Sequence, residues 1–481
     1  MRLSPRSLFL AGIAVLVTSP PVAAETLREA LARAYESNPT LTAARSGQRA
    51  VDENVPIARA DGLPSASATS SYSETFDNSA ASVFTPDRSL GIQANLSVPL
   101  YTGGIVRNSV RAAEARVESG QALLRGTEAS VFSQVVGAYM DVLRDEAVVA
   151  LNRNNVEVLG VNLQATRDRF DIGDLTRTDV AQSEARLALA QSQMQAAEAR
   201  LIASRENYVR LVGNPPGELT PPPALPGLPV AVDAAVDTAL SDNPDLEAAR
   251  IEAEASGFDV RAARGARMPR VNLTGTGGYT DFPGNGNLAA IHSASAGVSV
   301  TMPLFQGGRP AARVRQAQAR ESQAFERLIG TERSVIAQTR SAYASWQAAK
   351  AVADSSLVAV SASRLSLEGV RAENSVGTRT ILDILNAEQE LLNAQVQLVT
   401  ARRDAYVAGF TLLAAMGRAE AEDLGLDGGA LYDPDANYER VRSIIWDWSD
   451  DPEPEPVATR TNSVAAQTAT VPDSETPQLA Q

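Results

Sequence analysis

Residues 37–41 read SNPTL and residues 242–246 read DNPDL, and beyond that pair the chain keeps repeating itself at an offset of 204 or 205. VPLYTGG at 98–104 answers MPLFQGG at 302–308, and Ala138-Tyr139 answers Ala342-Tyr343. Gly173 answers Gly377, Thr176 and Asp179 answer Thr380 and Asp383, and Gly213 answers Gly417. One offset held along a whole repeat marks a duplication, and internal repeats constrain the fold before any domain count. At 481 residues the chain would otherwise suggest about three globular domains. The duplication instead predicts one plan written twice, over 25–213 and 232–417, with a Pro-rich linker at 214–231 between the copies.

Each copy reads as helix, hairpin, very long helix and shorter returning helix. Thr26 and Glu29 form a capping box that opens the first helix, and Pro64 ends it. Strands are expected at about 65–76 and 89–101, and again at 271–282 and 293–305. In the second strand of each pair the alternation is clean: Leu90, Ile92, Ala94, Leu96, Val98 and Leu100 stand against Ser89, Gln93, Asn95 and Ser97. Such strands have one apolar face and one wet face. Aromatic residues mark the strand ends, Tyr101 and Phe305 at one level and Phe76 and Phe282 at the other, the placement of a membrane-interface girdle.

The long helices are expected over 105–171 and 309–375, roughly 100 Å each at 1.5 Å per residue. Gly173 and Gly377 stop them as left-handed caps, and the returning helices run over 176–213 and 379–417. A returning helix covers only part of a rod. The rest must be covered by the N-terminal helix of a repeat, stacked end to end with it. Two heptad seams, Leu385, Leu392, Val399 beside Ile384, Leu391, Leu398, predict apolar neighbours on two sides of the last helix.

Composition removes most chemistry. There is no cysteine, one histidine (His292) and one lysine (Lys350), so thiolate metal sites, histidine-based catalysis, Walker-type phosphate binding and Schiff-base chemistry have no residues to run on. A net charge of −14 argues against nucleic acid as a partner. No cofactor or metal is expected. Arg2 and Arg6, the apolar run 8–17 and the small residues before Glu25 read as a cleaved signal peptide over 1–24, too short and too Pro-punctuated to span a membrane.

Four membrane-type strands cannot close a barrel, and open sheet edges are not tolerated in lipid, so the membrane reading demands several chains. The paired VPLYTGG and MPLFQGG segments, SVGTRTILDIL at 375–385, DIGDLTRTDV at 171–180 and the duplication itself resemble the TolC family of outer-membrane efflux and secretion channels over about 26–417. The resemblance implies a mainly helical homotrimer in the outer membrane of a Gram-negative bacterium. Three sets of four strands would form a twelve-stranded β-barrel in outer-membrane lipid, above a twelve-helix periplasmic α-barrel. It also implies a type I secretion or efflux role, with a periplasmic adaptor and an inner-membrane transporter as partners, and no enzymatic activity. Residues 214–231 and 418–450 would form an equatorial belt, and the acidic, Pro-rich tail 451–481 is expected to be disordered.

By the same resemblance the turns after the long helices close the tunnel. Asp383 would line the narrowest ring and Arg379 would lock it, with Thr178 and Asp179 as partners on the neighbouring turn. Two positions depart from the family pattern: Asn386 stands where a second acidic ring would lie, and Asn374 where the lock has a tyrosine. Thr176 with Asp179, and Thr380 with Asp383, also read as plain helix caps. The competing reading of the whole chain is a periplasmic coiled-coil structural or adaptor protein that never enters the membrane.

Overall fold

The computed structural model describes residues 25–76, 86–284, 288–426 and 431–471. The signal-peptide reading of 1–24 falls outside them, as do the hairpin-tip residues 77–85 and 285–287. The first copy contains α1 (Leu27–Ser37), α2 (Pro39–Asp52), α3 (Asn54–Ala60), β1 (Ser65–Glu74), β2 (Arg88–Tyr101), α4 (Ile105–Asp171) and α5 (Arg177–Val212). The second contains α6 (Val232–Asp242), α7 (Pro244–Gly265), β3 (Arg270–Asp281), β4 (Ile291–Thr301), α8 (Arg309–Ser375) and α9 (Ile381–Ala415), followed by α10 (Asp435–Val441).

The N-terminal helix of each copy is broken, not continuous. Asn38 and Asn243 precede prolines, which push them into extended backbone, with ψ of 125° and 121°. Each asparagine then caps the next helix, through Oδ1 accepting from Thr40 N at 2.9 Å and from Asp245 N at 3.1 Å. Each also donates from Nδ2 to a carbonyl at the end of a returning helix, Leu211 O at 2.9 Å and Ala415 O at 3.0 Å. α2 thus stacks on α5, and α7 on α9, through one buried asparagine apiece.

The rods α4 and α8 run past these splices uninterrupted. α4 packs against α2 and α3 above and α5 below on one side, and against α7 above and α9 below on the other; α7 and α9 also pack against α8. The two seams of α9 divide accordingly. Ile384 and Leu398 pack with Leu367 and Val360 of α8, whereas Leu385 meets Leu159 of α4. The main core lies at mid-height, where Phe132, Tyr139, Leu201, Tyr208 and Phe410 are fully buried.

All four strands form one antiparallel sheet in the order β1-β2-β3-β4. Residues opposite one another share a face. The register therefore gathers Ala68, Ala94, Gly277 and Ala294 with Leu96, Leu273 and Val298 on an apolar face. Ser67, Asn95, Thr276 and Ser295 lie on a polar one. A bulge at Pro99 and Tyr101 shifts the count by one, pairing Tyr101 with Val271 on the apolar face. Without it, Tyr101 would share the parity of Ser97 and point to the polar side. Three girdle aromatics stand beyond their strands: β1 stops at Glu74, before Phe76, β3 stops at Asp281, before Phe282, and β4 stops at Thr301, because Pro303 has no N–H to continue the ladder to Phe305.

α1 and α6 pack against the rods at mid-height, whereas α10, expected in an equatorial belt, lies against α2 above them. Buried Glu25 accepts from Arg33 at 2.8 Å, from the Tyr208 hydroxyl at 2.7 Å and from Gly217 N at 2.9 Å, and it bridges Leu219 in parallel. Contrary to the disordered tail expected from composition, residues 451–471 lie against the helices. Arg205 donates to Thr468 O at 2.5 Å and Thr470 O at 2.9 Å, Gln467 N donates to Glu206 at 2.9 Å, and Val471 enters the main core. Backbone groups of the tail, which composition does not weigh, supply its hydrogen bonds.

Candidate channel gate at the helix tips

Each rod ends in a tight turn set by a left-handed glycine, Gly173 at φ 85° and Gly377 at φ 81°. Both returning helices then start with a complete capping box. Asp179 accepts from Thr176 N at 2.8 Å and Thr176 Oγ1 at 2.7 Å, and Asp383 accepts from Thr380 N at 2.9 Å and Thr380 Oγ1 at 2.8 Å. These bonds favour the charged form and hold both carboxyls below the usual aspartate range. The Thr176 hydroxyl contributes most at Asp179; at Asp383 the Thr380 backbone N–H does, with Arg379 adding a small attraction.

Within one protomer Arg379 is engaged on its own turn. Its Nε donates to Glu373 at 2.7 Å, while Asn374 Nδ2 donates to the Arg379 carbonyl at 2.7 Å. That Glu373 contact raises the guanidinium pKa further. Asn374 therefore touches Arg379 through the backbone. Thr178 is exposed, and Asp179 bonds to its own cap. Asn386 accepts at Oδ1 from Arg186 at 2.7 Å, tying α9 to α5.

Above these turns, toward mid-height, lies a cluster that sequence reading missed. Glu388 is buried in α9, with Asn162 Nδ2 donating to its two oxygens at 3.0 and 2.9 Å and Arg371 donating at 3.0 Å. One carboxylate thus joins α4, α8 and α9. The available signal was its position, four residues after Ile384 on an otherwise apolar stripe. No group of acidic or histidine side chains suited to holding a metal ion occurs among the described residues.

The sequence profile described as outer membrane efflux protein matches residues 30–214 and 235–418, one match to each copy. The chain belongs to this family. It is 35% identical over 427 residues to outer membrane efflux protein BepC of Brucella suis, covering 89% of this chain and 92% of that one. It is 27% identical over 419 residues to outer membrane protein TolC of Vibrio cholerae, covering 84% and 94%. The fold matches the Campylobacter jejuni CmeC outer membrane channel with a TM-score of 0.72 at 17% identity, over 87% of this chain and 89% of that one. Members of this TolC-like family are outer-membrane channels that reach into the periplasm and conduct passively, without catalysis. This chain is such a channel, and the alternative of a coiled-coil protein outside the membrane has no support.

Proposed function

We propose that three copies of the chain close into one twelve-stranded barrel above a twelve-helix tunnel. In this reading the tunnel is gated where the tips of α4, α5, α8 and α9 converge, and it serves as the exit duct of an efflux pump or type I secretion system. A periplasmic adaptor and an inner-membrane transporter supply energy and choose the cargo. The observation that carries the reading is the four-stranded sheet, whose apolar face is open and whose edges β1 and β4 have no further strand. Lipid accepts the face, but only neighbouring strands satisfy the edges. α8 adds support, since Ala351, Val358, Leu365 and Ala372 form an exposed heptad seam suited to a helix of the next copy.

At the gate, Asp383 from each copy would ring the axis. Three converging carboxylates repel one another, which raises their pKa, while the capping bonds lower it and favour the charged form. The resulting field favours cations. Asn386 contributes no second charge to that field. Arg379 would hold the tip closed, its own Glu373 competing with groups on the adjacent turn.

Planar-bilayer recording tests this. The wild-type protein should give a small, cation-selective conductance. Asp383→Ala should weaken block by multivalent cations, and unchanged block removes that residue from the pore. Arg379→Ser should raise conductance, and a wild-type level places the lock elsewhere.

A further inference from the structure

After α10 the chain makes a stapled excursion that neither the gate nor the barrel uses. Arg440 binds Asp451 through both guanidinium nitrogens, at 2.8 and 3.0 Å, closing the base of the loop 441–450. Ser449 N donates to Trp446 O at 3.2 Å and tightens its apex. That apex carries Ile445, Trp446 and Trp448, which are 70%, 70% and 82% exposed. Large side chains held that far into water by a bidentate staple mark a contact surface.

The loop's height identifies the contact. Upstream, Gln121 of α4 donates to Asp435 at 2.8 Å, 16 residues into the rod and so about 24 Å from the strand end. Next, Asn437 bonds Asp52 at 2.7 Å, and then Arg59 donates to the Arg442 carbonyl at 2.9 Å. Arg59 lies less than one helical turn before Gly62, which packs at Val106 in the first turn of α4. The chain therefore climbs along α2 and α3 to the junction of rods and sheet, turns at the tryptophans, and descends. The same junction carries Tyr101, at the rod-side end of β2, and Phe305, four residues past β4, both exposed.

We propose that the 441–450 loop is an interfacial anchor that seats Ile445, Trp446 and Trp448 in the periplasmic leaflet of the outer membrane, beside the barrel wall. Tryptophan suits that zone because its ring is apolar and its N–H remains hydrated. With no cysteine in the chain to carry a lipid, this contact is made by side chains alone. The proposal rests on β1–β4 standing in the membrane.

The chain has three tryptophans, and the third, Trp346, lies 37 residues into α8, about 55 Å from the junction and out of reach of lipid. Intrinsic fluorescence of the full-length protein in phospholipid nanodiscs therefore reads the loop. Phospholipids brominated near the headgroup end of the acyl chain should quench the emission more strongly than those brominated near the chain end. Trp446→Phe with Trp448→Phe should abolish the quenching. Arg440→Ala, which opens the staple, should reduce it. Equal emission with and without bromine overturns the anchor, as does quenching that survives the double replacement. Emission that becomes shielded on oligomerisation in lipid-free amphipol overturns it in favour of a neighbouring copy. Conductance measured on the same preparation scores membrane insertion separately, so a protein that conducts without quenching refutes the anchor alone.

Discussion

Glu420, in the segment after α9, is a partly buried carboxylate 3.4 Å from Arg125. Burial pushes it up to about 7, with Arg125 opposing the shift and Asp423, Glu128 and Glu247 adding to it. Its folded value lies above the ordinary 4.5, so its contribution to stability is fully present below that value and is lost as pH rises through about 7. The channel should accordingly melt at a lower temperature at pH 8 than at pH 5.5. Glu420→Gln should raise the melting point at pH 8 and flatten the difference, and an unchanged profile would exclude this group as its source. At this scale the sequence was legible where partners are local. Thr-x-x-Asp at 176–179 and 380–383 declares its bonds within four residues. Glu388 with Asn162 and Arg371, or Arg186 with Asn386, meet only because supercoiled rods bring distant residues level, and no local pattern encodes that register.

The elements repay comparison between the two copies. Asn38 and Asn243 each cap one helix and hold another, so Asn243→Ala removes two interactions at once and leaves Ala415 O unpaired. A lost cap costs about 1 kcal/mol and the second bond about as much again. Hydrogen exchange should quicken at the start of α7 and the end of α9 together, and faster exchange in α7 alone would deny the splice. The alternation of β2 and β4 was plain in sequence, as were the rods, because period-2 and heptad patterns persist over many residues there. The break at Asn38 was overlooked although proline announced it. Phe305 was given to a strand that Pro303 ends.

Across the whole molecule the two-copy plan followed from the duplication, because one offset linked the strands, rods and returning helices to their counterparts. The tail could not be read this way, having no second copy and no periodicity. Closure into a trimer makes its own prediction. Val358 and Leu365 sit one heptad apart on the open side of α8. Val358→Asp with Leu365→Asp should turn a heat-resistant trimer into monomers in detergent, as judged by size and light scattering. A trimer that persists would show that this seam faces no neighbouring chain.

The asparagine splices have a mechanical consequence. Only α4 and α8 pass from the membrane end to the tips without interruption, while the helices between them meet at mid-height through a few hydrogen bonds. A twisting force applied at the tips is therefore not shared evenly along the wall. It concentrates at one latitude, where the intervening helices can pivot as separate segments while the rods flex. In the proposed tunnel the lower half would then unwind more readily than the upper half beneath the barrel.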